Sequence, residues 1–258
     1  MRIATWNING LRARLDFVLH WLDSRQPDVV GLQELKLEDK DFPNEAFGEA
    51  GYTCLTHGQK SWNGVATLTR DSAEVVQKGL PGQEEFGSRM LEVSVSGLNY
   101  ATLYCPNGKN IEHEDYPRKL AWFDSLIAYV QENHDPESAL LLGGDFNICP
   151  EPLDSWSEDK LLGGIFHTDA ERERMRALAN WGLVDLYRKL YPEDQTFSWW
   201  DYRGGAFHRG MGLRIDLLLG TPAVADRVID TVIDRDYRKK KDGMTASDHA
   251  PVWVDLEA

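Results

Sequence analysis

The sequence is poor in cysteine and has no long apolar run. Its three cysteines in 258 residues are scattered at Cys54, Cys105 and Cys149, without the close spacing of a zinc site. An odd, dispersed set of this kind predicts reduced thiols rather than a disulfide framework. No apolar segment approaches the length needed to cross a bilayer, and the opening segment Met1-Arg2-Ile3-Ala4-Thr5-Trp6 shows no signal-like apolar region or cleavage site. We therefore expect a cytoplasmic protein that makes no use of a membrane.

An excess of positive charge is also missing. The chain carries 28 Lys and Arg against 42 Asp and Glu, a formal net charge of −14. Nucleic-acid-binding proteins usually present a basic surface, so the total alone argues against such a partner. Carboxylates gathered around a divalent cation would make a protein acidic as well, and the basic residues here are clustered. The charge therefore excludes neither function. The clusters are Arg12/Arg14, Arg203/Arg209/Arg214 and the run 238–241.

Apolar periodicity alternates between strand and helix patterns along the chain. Strand patterns cover 3–6, 28–32, 64–69, 90–95, 98–104, 140–142, 213–219 and 252–256, and helical spacing covers 11–22, 117–132, 168–182 and a short segment from 221. No repeat or linker separates these patterns, which favours a single domain over 1–258. Strands in both halves with helices between them predict an α/β fold of two packed sheets flanked by helices.

Polar side chains stand where the predicted strands end. Glu34 follows the second strand, and Asp145 and Asn147 follow the triple leucine at 140–142. Asp216 lies inside an apolar run, where a carboxylate is costly unless it is paired, and His249 is its obvious partner. Such an oxygen-rich set suits Mg²⁺, with Mn²⁺ as an alternative, and Mg²⁺ commonly serves phosphate chemistry.

Six segments in order resemble the exonuclease III family, the DNA-repair branch of the endonuclease/exonuclease/phosphatase superfamily. They are Trp-Asn-Ile-Asn-Gly-Leu-Arg (6–12), Leu-Gln-Glu (32–34), Gly-Asp-Phe-Asn (144–147), Ser-Trp-Trp-Asp-Tyr-Arg (198–203), Gly-Leu-Arg-Ile-Asp (212–216) and Ser-Asp-His-Ala-Pro (247–251). The resemblance runs from 1 to 256 and implies a four-layer α/β sandwich with two packed mixed β-sheets. It also implies a Mg²⁺-dependent phosphodiesterase that cleaves double-stranded DNA 5′ to abasic sites, or removes 3′ nucleotides and 3′ blocking groups including phosphate.

The resemblance further implies a role for each matching residue. Asp145 would activate the attacking water or protonate the leaving group, and Asp216 would orient His249 to stabilise charge on phosphorus. Asn9 stands where some relatives have Asp, so the number of metal ions stays open. The implied catalytic residues are Tyr104, Asp145, Asn147, Asp216 and His249; the metal-site residues are Asn7, Glu34, Asp145, Asn147, Asp248 and His249; the DNA-binding residues are Asn9, Arg12, Arg14, Asn107, Trp199, Arg209, Leu213 and Ile215.

Trp199, Leu213 and Ile215 are expected to form an apolar pocket for a base-free sugar, which offers no base edge to read. Phe166 and His167 precede a predicted helix at a place where its loop would approach DNA. We hypothesise that these two side chains narrow access to an internal sugar and favour work at 3′ ends. The alternatives are another hydrolase of the superfamily, such as a phosphoinositide phosphatase or a non-specific nuclease, and an inactive DNA-binding module. We expect a monomer.

Overall fold

A computed structural model describes residues 1–257 of the chain. The strands are β1 (Arg2–Asn7), β2 (Val29–Gln33), β3 (Thr53–His57), β4 (Val65–Thr69), β5 (Ala73–Lys78), β6 (Met90–Val95), β7 (Leu98–Tyr104), β8 (Leu140–Asp145), β9 (Val184–Asp185), β10 (Asp216–Gly220), β11 (Val228–Ile233) and β12 (Val252–Leu256). The helices are α1 (Leu15–Arg25), α2 (Asn44–Glu49), α3 (Asp115–Asn133), α4 (Glu158–Leu161), α5 (Asp169–Trp181), α6 (Leu186–Leu190) and α7 (Pro222–Ala225). Within this described part, no helix is both long and apolar enough to span a bilayer.

The strands form two six-stranded sheets, in the orders β11-β12-β1-β2-β4-β3 and β5-β6-β7-β8-β10-β9. Each sheet is mixed, because β1 runs parallel to β2 and β7 runs parallel to β8 while the other pairs are antiparallel. The predicted α/β architecture of two mixed sheets is therefore confirmed.

Three apolar layers separate the four layers of secondary structure. Ile3 of β1 and Leu141 of β8 belong to the core between the sheets. Trp6 packs outward on the face that α1 covers through Phe17 and Trp21. Helices α3 and α5 cover the outer face of the second sheet, where Leu140, Leu142, Leu217 and Leu219 meet Trp122, Phe123, Met175 and Leu178. Because side chains alternate across a strand and both faces are covered here, the central strands read as continuous apolar runs.

Several predicted elements have the expected bounds, and others need correction. The Ser96-Gly97 turn has φ of 49° and 78°, as a two-residue hairpin turn requires. The segment 11–22 is not one helix, because Arg14 at φ −133° separates a single turn from α1. Asp216 begins β10 instead of interrupting it, since the strand is Asp216–Gly220. The four edge strands β3, β5, β9 and β11 were not predicted from the sequence, because short or partly exposed edge strands lack a strong apolar pattern.

Candidate active site

The strand ends of both sheets meet at one rim. Asn7 is the last residue of β1 and pairs with Gln33 at the end of β2, so Glu34 lies directly beside it. In the other sheet Tyr104 ends β7 and is the register partner of Asp145, which ends β8. Asp145 is in turn paired with Asp216 at the start of β10. The two sheets thereby bring the ends of five strands that are remote in sequence to one small cleft.

Asn7 joins the two halves of the site. Its Nδ2 donates to Glu34 Oε1 at 2.8 Å and to Asp145 Oδ2 at 2.9 Å. Its Oδ1 accepts from the backbone N–H of Asn9 at 3.0 Å. The amide nitrogen, not the oxygen, therefore faces the carboxylates. An amide that donates to both carboxylates orients them, and a place for Asn7 in the metal site stays a prediction.

Asp216 and His249 form the contact predicted from the sequence. His249 Nδ1 donates to Asp216 at 2.8 Å to Oδ2 and 3.0 Å to Oδ1, and both side chains are buried. Burial alone would lower the pKa of His249, but the charge and hydrogen bond of Asp216, with further help from Asp145, raise it to about 10. The imidazole is thus held as a cation, with Nε2 3.8 Å from Asp145 Oδ2.

A group of side chains in the cleft has the geometry to hold a metal ion. Glu34, Asp145 and His249 each offer one ligand atom, and these atoms lie within 4.8 Å of one another. Burial raises the pKa of Asp145, the positive charge of His249 opposes this, and the neighbouring Asp216 adds to the rise. Two carboxylates beside a third buried one form a site that a divalent cation would stabilise, so the residues present fit the predicted cofactor.

Asp248 also lines the cleft but lies outside that group. Its Oδ1 accepts from Asn9 Nδ2 at 2.9 Å and its Oδ2 from Trp199 Nε1 at 3.1 Å. Burial would raise the pKa of Asp248, but the charge of His249 and these two hydrogen bonds hold it below the usual value. Both oxygens are therefore engaged by neutral donors, and metal binding by Asp248 stays a prediction.

Lys36 is a site residue that the sequence did not reveal. Its Nζ lies 3.0 Å from Glu34 Oε2 and donates to Asn9 Oδ1 at 2.6 Å. The ammonium therefore neutralises part of the charge on Glu34 and fixes the side chain of Asn9. The available signal was the position of the lysine two residues after Glu34 in a short loop, which is a weak one.

Tyr104, Asn107 and Asn147 line the same cleft. Burial and the neighbouring Glu34 raise the pKa of Tyr104 well above its usual value, so its hydroxyl remains a donor. Asn107 Nδ2 donates to Asn147 Oδ1 at 3.1 Å, and Asn147 Nδ2 donates to the carbonyl of Cys105 at 3.0 Å. Asn147 also has a left-handed backbone, with φ of 51°. These contacts fix the side chain, and one lone pair of its oxygen remains for a further donor.

An apolar wall closes one side of the cleft. Phe166, Ile215 and Trp199 line it, and Leu213 packs behind them in the same cluster. Of the two bulky residues singled out in the sequence, only Phe166 faces the cleft. His167 is 1% exposed and its Nδ1 lies 3.0 Å from the carbonyl of Ile165. Any steric effect on a substrate must therefore come from Phe166.

The basic clusters divide into exposed and structural residues. Arg209 is exposed, and Arg12 is exposed and pairs with Asp41 at 3.1 Å. Arg14 is partly buried and donates to the hydroxyl of Tyr202 at 3.1 Å, so it also braces a loop. Arg238 is 9% exposed and donates to the carbonyls of Asp248 and Trp200, which makes it part of the scaffold. The buried Arg214 likewise pairs with Asp154 and Asp185.

The fold and the cleft define a class of protein, an α/β sandwich with an acidic centre and an Asp–His pair at one rim. A sequence profile of the Endonuclease/Exonuclease/phosphatase family matches residues 4–249. Exodeoxyribonuclease III of Haemophilus influenzae is 36% identical over the full length of both chains. The 3′ phosphatase NExo from Neisseria, solved with a product DNA hairpin, superposes with a TM-score of 0.94 at 36% identity, and an AP endonuclease from Archaeoglobus fulgidus with 0.95 at 34%; both alignments cover both chains completely.

The chain therefore belongs to the endonuclease/exonuclease/phosphatase family and, within it, to the exonuclease III family. This confirms the family that its sequence motifs predicted.

Proposed function

We propose that this protein is a Mg²⁺-dependent phosphodiesterase that hydrolyses the backbone of damaged double-stranded DNA, with its main activity at 3′ ends. Its relatives are a curated exodeoxyribonuclease III, an AP endonuclease and a 3′ phosphatase, so a hydrolytic DNA-repair nuclease of this type is confirmed as the general function. The observation that carries the finer proposal is the meeting of Glu34, Asp145 and the Asp216–His249 pair in one cleft.

Each residue has a role that its contacts support. Asp145 accepts a proton from the attacking water, because its raised pKa makes it a better base than an exposed carboxylate. His249 donates through Nε2 to a phosphoryl oxygen as negative charge develops there, while Asp216 keeps Nδ1 protonated. Tyr104 donates its hydroxyl to the same phosphate, and Asn147 orients the water.

Glu34 and Asp145 would hold the divalent cation, and Asn7 keeps the two carboxylates in position. His249 donates from Nε2 to the phosphate and therefore has no lone pair there for the cation. When bound, Mg²⁺ supplies charge neutralisation of a non-bridging or leaving oxygen. Lys36 pairs with Glu34, and Asn9 donates a hydrogen bond to Asp248, so both carboxylates are held in place.

Phe166 supports the preference for 3′ ends. The side chain lines the same cleft as Glu34, Asp145 and His249, and it packs in one apolar cluster with Ile215. A sugar at a frayed 3′ terminus can approach a narrow cleft from the open side, whereas an internal abasic sugar must be turned fully out of the helix into it. Trp199, Leu213 and Ile215 pack with Phe166, so the predicted sugar pocket is already partly filled by this chain.

The test uses two duplexes, one with an internal abasic site and one nicked with a 3′-phosphate, each with and without Mg²⁺. We expect hydrolysis of the 3′-phosphate to be faster and to require the metal.

Phe166→Gly should raise incision at the internal site relative to 3′-phosphate removal, and Phe166→Leu, which keeps the bulk, is the matched control. An unchanged ratio in Phe166→Gly would sink the preference, and metal-independent hydrolysis would sink the mechanism.

We also propose that residues 1–258 act as one domain, as a monomer in the cytosol. The support for a single domain is that β1 lies between β12 and β2, so the two ends of the chain share one sheet.

A further inference from the structure

A fully buried ion pair lies behind the catalytic cleft. Lys119 of α3 and Glu171 of α5 are both 0% exposed, and Lys119 Nζ donates to Glu171 Oε1. Buried pairs of opposite charge cost desolvation free energy and are weak evidence of stability alone. Neither residue lines the cleft. Any role of the pair in function must therefore act through the groups that it holds in place.

The remaining contacts of Lys119 reach two loops of the cleft. Its ammonium donates to the carbonyl of Asn147 at 2.7 Å and to the carbonyl of Asn107 at 3.3 Å. With Glu171 these acceptors use all three N–H donors of a lysine. Gly108, at φ 82°, lets the second loop lie directly on the lysine stem, since a Cβ there would stand 3.0 Å from Lys119 Cδ.

Glu171 extends the same network to the third loop. Its Oε1 also accepts from the backbone N–H of Phe166 at 3.1 Å, and its Oε2 accepts from the backbone N–H of Thr168 at 3.0 Å. Phe166 holds a left-handed backbone with φ of 72°, which a non-glycine residue keeps only when its surroundings hold it there. The ring of Phe166 lies 4.8 Å from the ammonium of Lys119.

We propose that Lys119 and Glu171 are positioning residues that fix Phe166 relative to Asn147 and thereby set the substrate preference of the cleft. This inference rests on the proposed function. One ammonium and one carboxylate tie the Asn107 loop, the Asn147 loop and the Phe166 loop to a single point, so these loops cannot move apart independently.

Glu171 does more than cap the N-terminus of α5. The sequence predicts that Thr168 and Glu171 cap the helix, and the contact between Glu171 N–H and Thr168 Oγ1 at 3.1 Å is present. A cap alone needs only Oε2, however. The other oxygen is the one that meets both Phe166 and Lys119.

The experiment compares Lys119→Met, Glu171→Gln and the double variant with the unaltered protein. The quantity measured is the ratio of kcat/KM on the 3′-phosphate duplex to kcat/KM on the internal abasic duplex. We expect this ratio to fall by about ten- to a hundredfold in all three, because loosening a positioned wall by an ångström has effects of that size. The double variant carries no unpaired buried charge, so its free energy of unfolding should be higher than that of the single variants. A ratio that nevertheless stays low in the double variant shows that lost positioning, and not lost stability, causes the change.

Asp124→Asn is the matched control. Asp124 and Arg174 form a surface ion pair at 2.9 Å between the same two helices, and it touches none of the three loops. Its ratio should equal that of the unaltered protein. In a Phe166→Gly background, Lys119→Met should change the ratio no further, since the side chain that it positions is gone.

Amide exchange supplies a readout that does not depend on activity. The N–H of Phe166 should lose protection in Lys119→Met and Glu171→Gln but keep it in Asp124→Asn. Three results would each overturn the inference. The ratio could stay unchanged in Lys119→Met, or Lys119→Met could change it as much in the Phe166→Gly background as in the unaltered protein. The amide of Phe166 could also keep its protection in Lys119→Met and Glu171→Gln. If the unaltered protein cleaves neither duplex, the proposed function is wrong. The exchange of the Phe166 amide still tests the positioning role in that case, and unchanged protection in the two variants would refute it.

Discussion

Replacing Asp216 with asparagine distinguishes two possible roles of His249, a charged group that stabilises the phosphate and a general base. The imidazole is a cation because Asp216 accepts from Nδ1 at 2.8 Å, and asparagine fits the same space without the charge. A hydrogen bond to a charged group contributes about 1.5–3 kcal/mol, and each pKa unit corresponds to about 1.4 kcal/mol. The pKa of His249 should therefore fall by about one to two units from its raised value.

The sign of the effect on activity follows from that shift. A partner that raises the pKa of a histidine keeps it charged below that pKa, and the charge is lost as the pH rises through it. If the charged form is the active one, the basic limb of kcat in Asp216→Asn moves to lower pH by about one to two units. Near pH 7 most of the imidazole stays charged, so the loss there should be only about tenfold.

The competing role predicts a different magnitude. If Nε2 of His249 were the general base, asparagine would force the proton onto Nε2 and the loss would approach about 10⁴-fold, as in Ser-His-Asp triads. The assay is single-turnover hydrolysis of the 3′-phosphate duplex between about pH 6 and pH 10 at saturating Mg²⁺. An unmoved basic limb, or a loss near that larger value, would refute the assignment of His249 as charge stabiliser. Near-ultraviolet circular dichroism of the variant checks that the fold is intact.

Three further outcomes follow from individual contacts. Glu34→Gln should raise the Mg²⁺ concentration for half-maximal activity by more than about tenfold, since a carboxylate ligand is lost, and a Mg²⁺ titration that matches the unaltered protein would contradict this. Lys119→Met should lower the unfolding free energy by about 3–5 kcal/mol in urea because Glu171 is left buried and unpaired, and a loss below about 1 kcal/mol would count against that. Arg209→Ala should reduce the slope of log affinity for DNA against log salt concentration by about one without changing the free energy of unfolding. Arg238→Ala should lower the free energy of unfolding by about 1–3 kcal/mol, because Arg238 donates to two backbone carbonyls. The opposite pattern would show that Arg238 contacts DNA and that Arg209 is structural.

The central strands were predictable from the sequence for a physical reason. Strands β1, β2, β8 and β10 are covered on both faces, so their apolar runs are long and unmistakable. The edge strand β5 exposes most of its residues, and its polar sequence gives no such signal. The boundary of β10 was also missed, because Leu213 and Ile215 are apolar for the sake of the cleft wall rather than the strand.

The candidate site shows the same division. The Asp216–His249 contact and the meeting of Glu34 with Asp145 follow from polar residues at strand ends and from family motifs. The direction of the Asn7 amide was not predictable, since it depends on two carboxylates from different sheets. Lys119 was hidden for a related reason. A lysine on a helix normally reads as solvent-exposed, and only the packing of three loops shows why this one is buried.

The central claim is that the cleft hydrolyses DNA phosphodiesters with Asp145 as the base. Its most direct test is single-turnover hydrolysis of the 3′-phosphate duplex by Asp145→Asn at saturating Mg²⁺, with DNA binding measured in parallel. We expect a loss of about 10²–10⁴-fold in rate with the affinity for DNA retained, because this is the usual contribution of a general base. A rate for Asp145→Asn equal to that of the unaltered protein would contradict it.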